Sequence, residues 1–259
     1  MLKKFAMLTL AFGAASSAAF AADLPTKKAP PVIPPPPLFS WTGFYFGANV
    51  GYGWGNASDS EVPGPTPATF GANPFSVGID PTGALGGVQA GYNWQTGGFV
   101  IGAETDLDLA GISHTGQLNG LPNSAGVINP AWLATASEDV QAFGTLRLRA
   151  GVAIDRALIY ATGGLAYGDV KYSSYTQYTA ASAFEYAGSD STWKAGWTLG
   201  AGLEYAVTNN WTVKGEYLYY DLGNKSYAAP PLAANPPYFV GQSFSTTGNI
   251  VRVGVNYKF

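Results

Sequence analysis

Acidic and basic side chains recur at spacings of two residues along several segments of the chain. Glu104, Asp106 and Asp108 form one such series, and Arg147 and Arg149 form another. In an extended strand, residues two apart share a face, so each series presents its charges on one side. Paired carboxylates could act as a general acid and base over a cleft. Here Arg147 or Arg149 could neutralise them, so the spacing favours ion pairing over catalysis.

Other catalytic arrangements have weak support in the sequence. The only histidine, His114, lies beside Ser113 in a predicted loop, and no G-x-S-x-G motif occurs. The Gly86-Gly87 pair is not followed by a Walker-type Lys-Ser/Thr, which argues against a phosphate loop. The chain has no cysteine and no histidine cluster that suggests a metal site. We therefore predict a protein without catalysis and without catalytic, cofactor-binding or metal-binding residues, and an enzyme is the weakest hypothesis.

The composition is unusual for a water-soluble domain. Only 11% of the residues are charged, 14% are aromatic and 34 of 259 are glycine. Soluble domains carry about 25% charged residues. The formal net charge of -3 gives no support for nucleic-acid binding.

The first 40 residues have the character of a targeting sequence and a spacer. Lys3 and Lys4 precede an apolar stretch, and Ala19-Phe20-Ala21 is an A-x-A cleavage motif. Residues 1–21 are thus predicted to be a signal peptide. Residues 22–40 are rich in proline, which removes amide donors, and are predicted to be a periplasmic segment. Whether this segment tethers anything stays open, and residues 41–259 form the predicted domain.

From residue 41 onward, segments of about ten residues alternate apolar and polar side chains, which is the signal of β-strands. Long predicted connections (55–83, 111–138, 170–192 and 223–247) alternate with tight turns at 96–97, 155–156 and 208–210. Short periplasmic turns and long extracellular loops are typical of transmembrane β-barrels. We predict eight strands, near residues 43–54, 84–95, 98–110, 139–153, 157–169, 193–206, 210–222 and 248–259.

The two faces of these strands differ in a way that favours a membrane. One face is apolar and begins or ends in Trp, Tyr or Phe on most strands, as an interfacial girdle requires. The other is charged and rich in glycine, which suits a crowded lumen better than the exterior of a soluble barrel. The predicted fold class is all-β: a closed antiparallel eight-stranded transmembrane β-barrel with long extracellular loops. An even strand number places both termini in the periplasm.

Four segments carry a resemblance to a known family: residues 41–54, 86–94, 146–168 and 251–259. In these segments the chain resembles the small outer-membrane immunogenic or porin-family proteins of alphaproteobacteria. The resemblance implies an OmpA-like eight-stranded barrel in the outer membrane of a Gram-negative cell, without a catalytic site. It also implies that Tyr257 and Phe259 are an assembly signal, read by the barrel-assembly machinery.

Eight strands enclose a space just wide enough for side chains, and charges confined there must pair or be hydrated. We therefore expect a lumen charge network formed by Glu104, Asp106, Arg147, Arg149, Glu204, Lys214, Glu216 and Arg252. Such a network stabilises the barrel, although a narrow ion path stays open as an alternative.

The predicted function is a structural, envelope-stabilising and surface-interacting role, with a small passive diffusion channel as the alternative. The expected partners are outer-membrane lipid, lipopolysaccharide and the barrel-assembly machinery. Contacts with host molecules or peptidoglycan are a further expectation, and the oligomeric state stays open.

Overall fold

The computed structural model describes residues 39–64, 74–123, 125–180, 185–232 and 239–259. The predicted signal peptide and residues 22–38 of the proline-rich segment lie outside the described residues. The described part contains nine β-strands: β1 Gly43–Gly64, β2 Phe75–Ile79, β3 Thr82–Thr96, β4 Phe99–Pro122, β5 Ile128–Ile154, β6 Ala157–Tyr178, β7 Glu185–Ala206, β8 Trp211–Ala229 and β9 Phe239–Lys258. No helix in these ranges is long and apolar enough to cross a membrane.

All nine strands belong to one antiparallel sheet. From β3 to β9, each strand pairs with the next one along the chain. β1 pairs with β3, from Gly43↔Asn93 to Trp54↔Thr82, and also with β9, from Tyr45↔Lys258 to Gly64↔Phe239. The short β2 pairs with the distant end of β1. The pairings thus run in chain order and return through β1.

The eight predicted strands are all present, but most are longer than predicted. The prediction of long loops was wrong for the described residues, because most of 111–138, 170–192 and 223–247 is strand. β2 was also missed, inside the first predicted loop. In these regions serine, threonine and tyrosine occupy many positions on both faces of each strand, so the two faces differ little in hydrophobicity. Threonine and tyrosine nevertheless pair well in sheets. The tight turn at 155–156 was predicted correctly, the turn predicted at 96–97 lies one residue later at 97–98, and the turn predicted at 208–210 falls within the connection 207–210. Gly97 and Asp155 adopt positive φ in the first two turns.

Three irregularities in strand register divide the sheet into two parts. They lie between Leu109 and Ile112 on β4, Val140 and Ala142 on β5, and Asp221 and Asn224 on β8. We call the residues between the tight turns and this level the turn-proximal part: 43–55, 82–96, 99–109, 142–154, 157–169, 193–206, 211–221 and 248–258. We call the strand residues beyond this level the distal part: 56–64, 75–79, 112–122, 128–140, 170–178, 185–192, 224–229 and 239–247.

In the turn-proximal part the exposed face is apolar. Large side chains such as Phe99, Leu109, Leu148 and Trp193 are more than half exposed. The alternate positions are buried and mainly polar or charged. The burial pattern of a soluble protein is therefore reversed here.

In the distal part the exposed face is polar. Ser173, Ser189 and Ser191 are exposed on neighbouring strands. The interior is an apolar cluster that begins just below the register irregularities, with Phe143, Leu218 and Ile250, and continues into the distal part. Its distal members include Val77, Ile79, Ile112, Leu121, Trp132, Ala134, Ala136, Val140, Val170, Tyr172 and Phe244.

Candidate functional site

The most distinctive site in the described part is a cluster of buried charges in the turn-proximal interior. Strand register brings opposite charges side by side, because Glu104 lies opposite Arg147, Glu204 opposite Lys214 and Glu216 opposite Arg252. Directly opposite residues on one face approach within side-chain contact. The local alternation of each strand thus points these side chains into one space.

Arg147 and Arg252 are the centres of the cluster. The Arg147 guanidinium donates to Glu104 at 2.5 Å and to Asp106 at 3.0 Å, and it lies 2.9 Å from a Glu216 oxygen. Arg252 donates to Asp106 at 2.8 Å and to Asp108 at 3.2 Å, and its Nη2 lies 2.7 Å from Glu216. Both guanidinium groups are fully buried. Their planar forks allow each to hold several carboxylates at once.

Lys214 and Arg149 connect strands that are not neighbours. The Lys214 ammonium lies 2.7 Å from Glu104, which is on β4 rather than on an adjoining strand. Arg149 lies 2.6 Å from Glu204 and 3.4 Å from the second oxygen of Glu104. The structure therefore brings all eight residues of the predicted lumen network together, and it adds Asp108 through Arg252.

Neutral hydrogen-bonding side chains complete the cluster. The Tyr45 hydroxyl donates to Glu104 at 2.7 Å, and the Tyr160 hydroxyl donates to Glu216 at 3.0 Å. Thr145 donates to Asp106 at 2.6 Å, and Asn256 donates to Glu204 at 2.9 Å. The sequence analysis did not assign these residues to the network, although their positions on the charged face of each strand were a usable signal.

Two glycines provide the space for the tyrosines. A Cβ at Gly91 would collide with the Tyr45 ring, and a Cβ at Gly202 would collide with the Tyr160 ring. Arg149 also packs over the Tyr160 ring, with its guanidinium carbon 4.1 Å from the ring centroid. The glycine-rich character of this face is thus explained by the bulk of its other side chains.

Side chains close the interior on both sides of the cluster. Near the tight turns, Trp41 is 1% exposed and packs with Val100, Leu158, Tyr160 and Ala206. Phe39 packs edge-on against Trp41 at 5.0 Å. On the opposite side, the apolar cluster of Phe143, Leu218 and Ile250 begins.

This arrangement holds its charges in place rather than leaving one free to react. Moving an ion out of water costs several kcal/mol, and a buried cluster is tolerated only when its charges are well paired. Asp106 and Asp108, the carboxylates that could have formed an acid–base pair, both contact Arg252. His114 and Ser113 are exposed in the distal part, remote in register from the cluster. Within the described ranges, no group of three or more His, Cys, Asp or Glu side chains could hold a metal ion.

Two further lysines and the predicted assembly signal lie outside this cluster. Lys194 is buried where the turn-proximal part of β7 meets the distal part, and it donates to the Gly223 carbonyl at 2.6 Å. Lys258 lies near the tight turns and donates to the Thr42 carbonyl at 3.3 Å. Tyr257 and Phe259 lie on the exposed face, with ring centroids 5.2 Å apart.

Solved outer-membrane proteins share this fold. The outer membrane protease OmpT of Escherichia coli aligns with a TM-score of 0.50 and 11% identity, over 87% of this chain and 99% of that one. The outer membrane protein OprG of Pseudomonas aeruginosa aligns with a TM-score of 0.53 and 12% identity, over 85% of this chain and 98% of that one. At these identities the likeness concerns the fold alone.

Sequence comparisons give closer relatives. The chain is 40% identical to a 31 kDa outer-membrane immunogenic protein of Brucella melitensis, over the full length of both. It is 31% identical to a 25 kDa outer-membrane immunogenic protein of Brucella abortus, over 100% of this chain and 99% of that one. It is 32% identical to a 22 kDa outer membrane protein of Rhizobium leguminosarum bv. viciae, over 87% of this chain and 82% of that one. None of these names denotes an enzyme.

The prediction of an alphaproteobacterial outer-membrane family is thereby confirmed. The family model described as outer membrane protein beta-barrel domain matches residues 7–259. The chain therefore belongs to the outer membrane protein β-barrel family and is an outer-membrane protein.

Proposed function

We propose that the chain is an integral outer-membrane barrel of eight strands with a sealed lumen, which stabilises the envelope and presents a surface outside the cell. The observation that carries this proposal is the filled interior. Buried ion pairs occupy the turn-proximal part, and an apolar core occupies the space above them. The proposal includes no catalysis.

Strand pairing supports closure into eight strands. β1 and β3 to β9 are the eight long strands, and β1 pairs with both β3 and β9. A closed barrel leaves no open edge, which satisfies the backbone groups of lipid-facing strands. β2 pairs with β1 only at residues 57–61, beyond the turn-proximal part, so it does not add a ninth strand to the membrane-spanning wall of the barrel.

The apolar exposed face supports a position in the lipid bilayer. A tilted strand needs about 9–11 residues to cross the hydrocarbon. Along β7 the exposed face is apolar from Trp193 to Tyr205, and the part between these two aromatic ends, residues 195–203, has the length of about nine residues that this crossing needs. Aromatic side chains mark both limits, with Trp54 and Trp193 at one end and Trp94 and Trp211 at the other.

The ends of the chain support an orientation. The C-terminus and the start of β1 both lie with the tight turns, which are characteristic of the periplasmic side. In this orientation the distal part extends outside the cell. Tyr257 and Phe259 would then meet the assembly machinery from the periplasm as an exposed aromatic pair.

The polar exterior of the distal part supports the surface role. Ser137, Ser173 and Ser189 lie in register on β5, β6 and β7, just beyond the apolar belt. Lipopolysaccharide sugars occupy this depth around any protein of the outer leaflet, so they are the first partner we propose. The immunogenic relatives fit an exposed surface, which is also where contacts with host molecules would form.

The alternative function is a small passive diffusion channel, and the interior argues against it. An ion crossing the barrel would have to displace Trp41, separate the pairs of Arg147 and Arg252, and pass the apolar cluster. Separating one partner from a buried ion pair costs about 3–5 kcal/mol. A passive path would need to overcome this cost for each ion.

Single-channel recording tests the sealed lumen. The mature chain, refolded and checked for heat-modifiable gel mobility, is reconstituted in planar bilayers beside a general diffusion porin as a positive control. We expect no conductance steps above the background of the protein-free bilayer. Steady open-channel steps from the folded chain would contradict the proposal and establish the channel.

A further inference from the structure

One buried carboxyl group in the distal interior differs from all those of the charge network. Glu138 on β5 is 1% exposed, and its one neutral hydrogen-bonding neighbour in the described part is the Thr246 hydroxyl, in a contact that falls short of full hydrogen-bond geometry. No cation lies within ion-pair distance among the residues the structure describes, whereas Glu104 contacts Arg147 and Lys214. An isolated buried carboxylate is costly, so such a group tends to remain neutral instead.

The polar groups around Glu138 are engaged with one another. The Lys194 ammonium donates to the Tyr172 hydroxyl at 3.1 Å, to Thr246 at 3.3 Å and to the Gly223 carbonyl at 2.6 Å. The hydroxyls of Tyr172 and Thr246 lie 2.6 Å apart. The two hydroxyls share a single hydrogen bond, so one hydroxyl proton stays available, and Thr246 is the neighbour that offers it to Glu138. The Lys194 ammonium, in contrast, is occupied by these hydroxyls and by the Gly223 carbonyl.

The surrounding strands contribute few charges that could compensate an ionised Glu138. Its register partner on β4 is the exposed His114, and its partner on β6 is Tyr172. β7 provides Lys194 and Asp190, but Asp190 pairs with Lys225 of β8 at 3.1 Å. The other groups that act here are Asp221 and Tyr220 of β8 and Thr246 of β9, while β2 adds the apolar Phe75, Val77 and Ile79.

We propose that Glu138 is a proton-binding site that couples the packing of the distal part to external pH. With its proton bound, the neutral carboxylic acid fits the apolar interior. When the proton leaves, the buried charge favours an opened arrangement in which water or the Lys194 ammonium reaches the carboxylate. The closed packing of the distal part is therefore favoured at low pH, and the opened arrangement becomes more populated as the pH rises.

The protonation equilibrium of Glu138 supports this direction. Burial raises the pKa of the Glu138 carboxyl from 4.5 to about 7, and Thr246 and Lys194 oppose this rise only in part. In an opened distal part the carboxyl would regain its ordinary pKa. The closed state then binds more protons between these two values, so its stability is complete below about pH 4.5 and falls as the pH rises to 7. Above pH 7 the loss is constant.

Hydrogen exchange of the backbone amides in 134–140 and 170–174 tests the coupling. The exchange rates of wild type and Glu138→Gln are measured at pH 5 and pH 8. The ratio of the wild-type rate to the variant rate at each pH cancels the intrinsic pH dependence of exchange. Glutamine has no proton to lose, so this ratio should rise by on the order of 50-fold from pH 5 to pH 8. Asp139→Asn, on the exposed face, is the matched control. The ratio of wild-type to Asp139→Asn exchange rates should be the same at pH 5 and pH 8.

A second measurement covers the case in which Glu138→Gln does not fold. The ¹³C resonance of the Glu138 carboxyl in the refolded wild type is followed against pH. We expect a titration midpoint near pH 7, with changes in the Tyr172 and Thr246 resonances at the same midpoint. A midpoint near 4.5, or an exchange ratio that is the same at both pH values, would overturn the proposal.

Discussion

The turn-proximal and distal parts of the sheet are built from the same continuous strands, yet they bury opposite kinds of side chain. On β5, Leu148 is exposed and Arg149 is buried below the register irregularity, whereas above it Ser137 faces outward and Val140 is buried. The same backbone pairing serves both parts. What differs is the solvent on the outer face: the turn-proximal part suits lipid, and the distal part suits water.

The register irregularities lie where this change occurs. Below the irregularity on β5 the odd-numbered residues Arg147 and Arg149 point inward, whereas above it the even-numbered Ala134, Ala136 and Val140 do so. An extra residue in one strand shifts which side chains face inward. The two parts can therefore follow different alternation patterns without interrupting the strand.

Loss of one central cation should have the largest effect on the turn-proximal part. Arg147→Ala leaves Glu104, Asp106 and Glu216 short of a partner in a fully buried position. We expect a loss of about 3–5 kcal/mol in the free energy of unfolding, because a buried charge is left uncompensated. Denaturant unfolding in detergent micelles or lipid vesicles measures this difference.

Lys171→Ala is the matched control, since Lys171 is an exposed cation of the distal part. Its free energy of unfolding should stay within about 0.5 kcal/mol of wild type. Equal losses in the two variants would show that the two parts do not differ as described.

A charge added to the exposed face should have the next largest effect, and only in the turn-proximal part. Leu148→Arg places a guanidinium where the side chain is 72% exposed on the apolar belt. A cation at this kind of position costs about 2–4 kcal/mol near the bilayer midplane. Unfolding from vesicles gives the value, with Ser189→Arg on the distal face as the control that should change little. A Leu148→Arg variant with the wild-type free energy of unfolding would contradict the conclusion that the exposed apolar face of the turn-proximal part contacts lipid.

The sequence allowed the turn-proximal part to be predicted almost completely. Large apolar residues alternate there with charges or glycine, as Ile101, Ala103 and Leu107 do with Gly102, Glu104 and Asp106, so the faces can be assigned residue by residue. The members of the charge network followed from that assignment. Their partners did not, because the contact of Lys214 with Glu104 depends on which strands meet across the interior.

The distal part could be predicted only in fragments. Around residues 170–178 the buried positions include Ser174 and Thr176 and the exposed ones include Ser173, so polarity does not distinguish the faces. β2 carried a clear alternation of Phe75, Val77 and Ile79, but it is only five residues long. The lack of an ion pair at Glu138 could not be recognised from the sequence, because it depends on the Lys194 ammonium being engaged with Tyr172, Thr246 and the Gly223 carbonyl.

Accessibility of single cysteines across the boundary tests the central contrast most directly. The chain has no cysteine, so each substitution gives one unique thiol. Cells that carry Cys at Ser137, Ser173 or Ser189, or at Leu107, Leu148 or Leu199, are treated with a membrane-impermeant maleimide. We expect labelling at the three serine positions and none at the three leucine positions unless the protein is unfolded. Equal labelling of the two sets, or labelling of the leucine set alone, would contradict the division into a lipid-facing and a water-facing part.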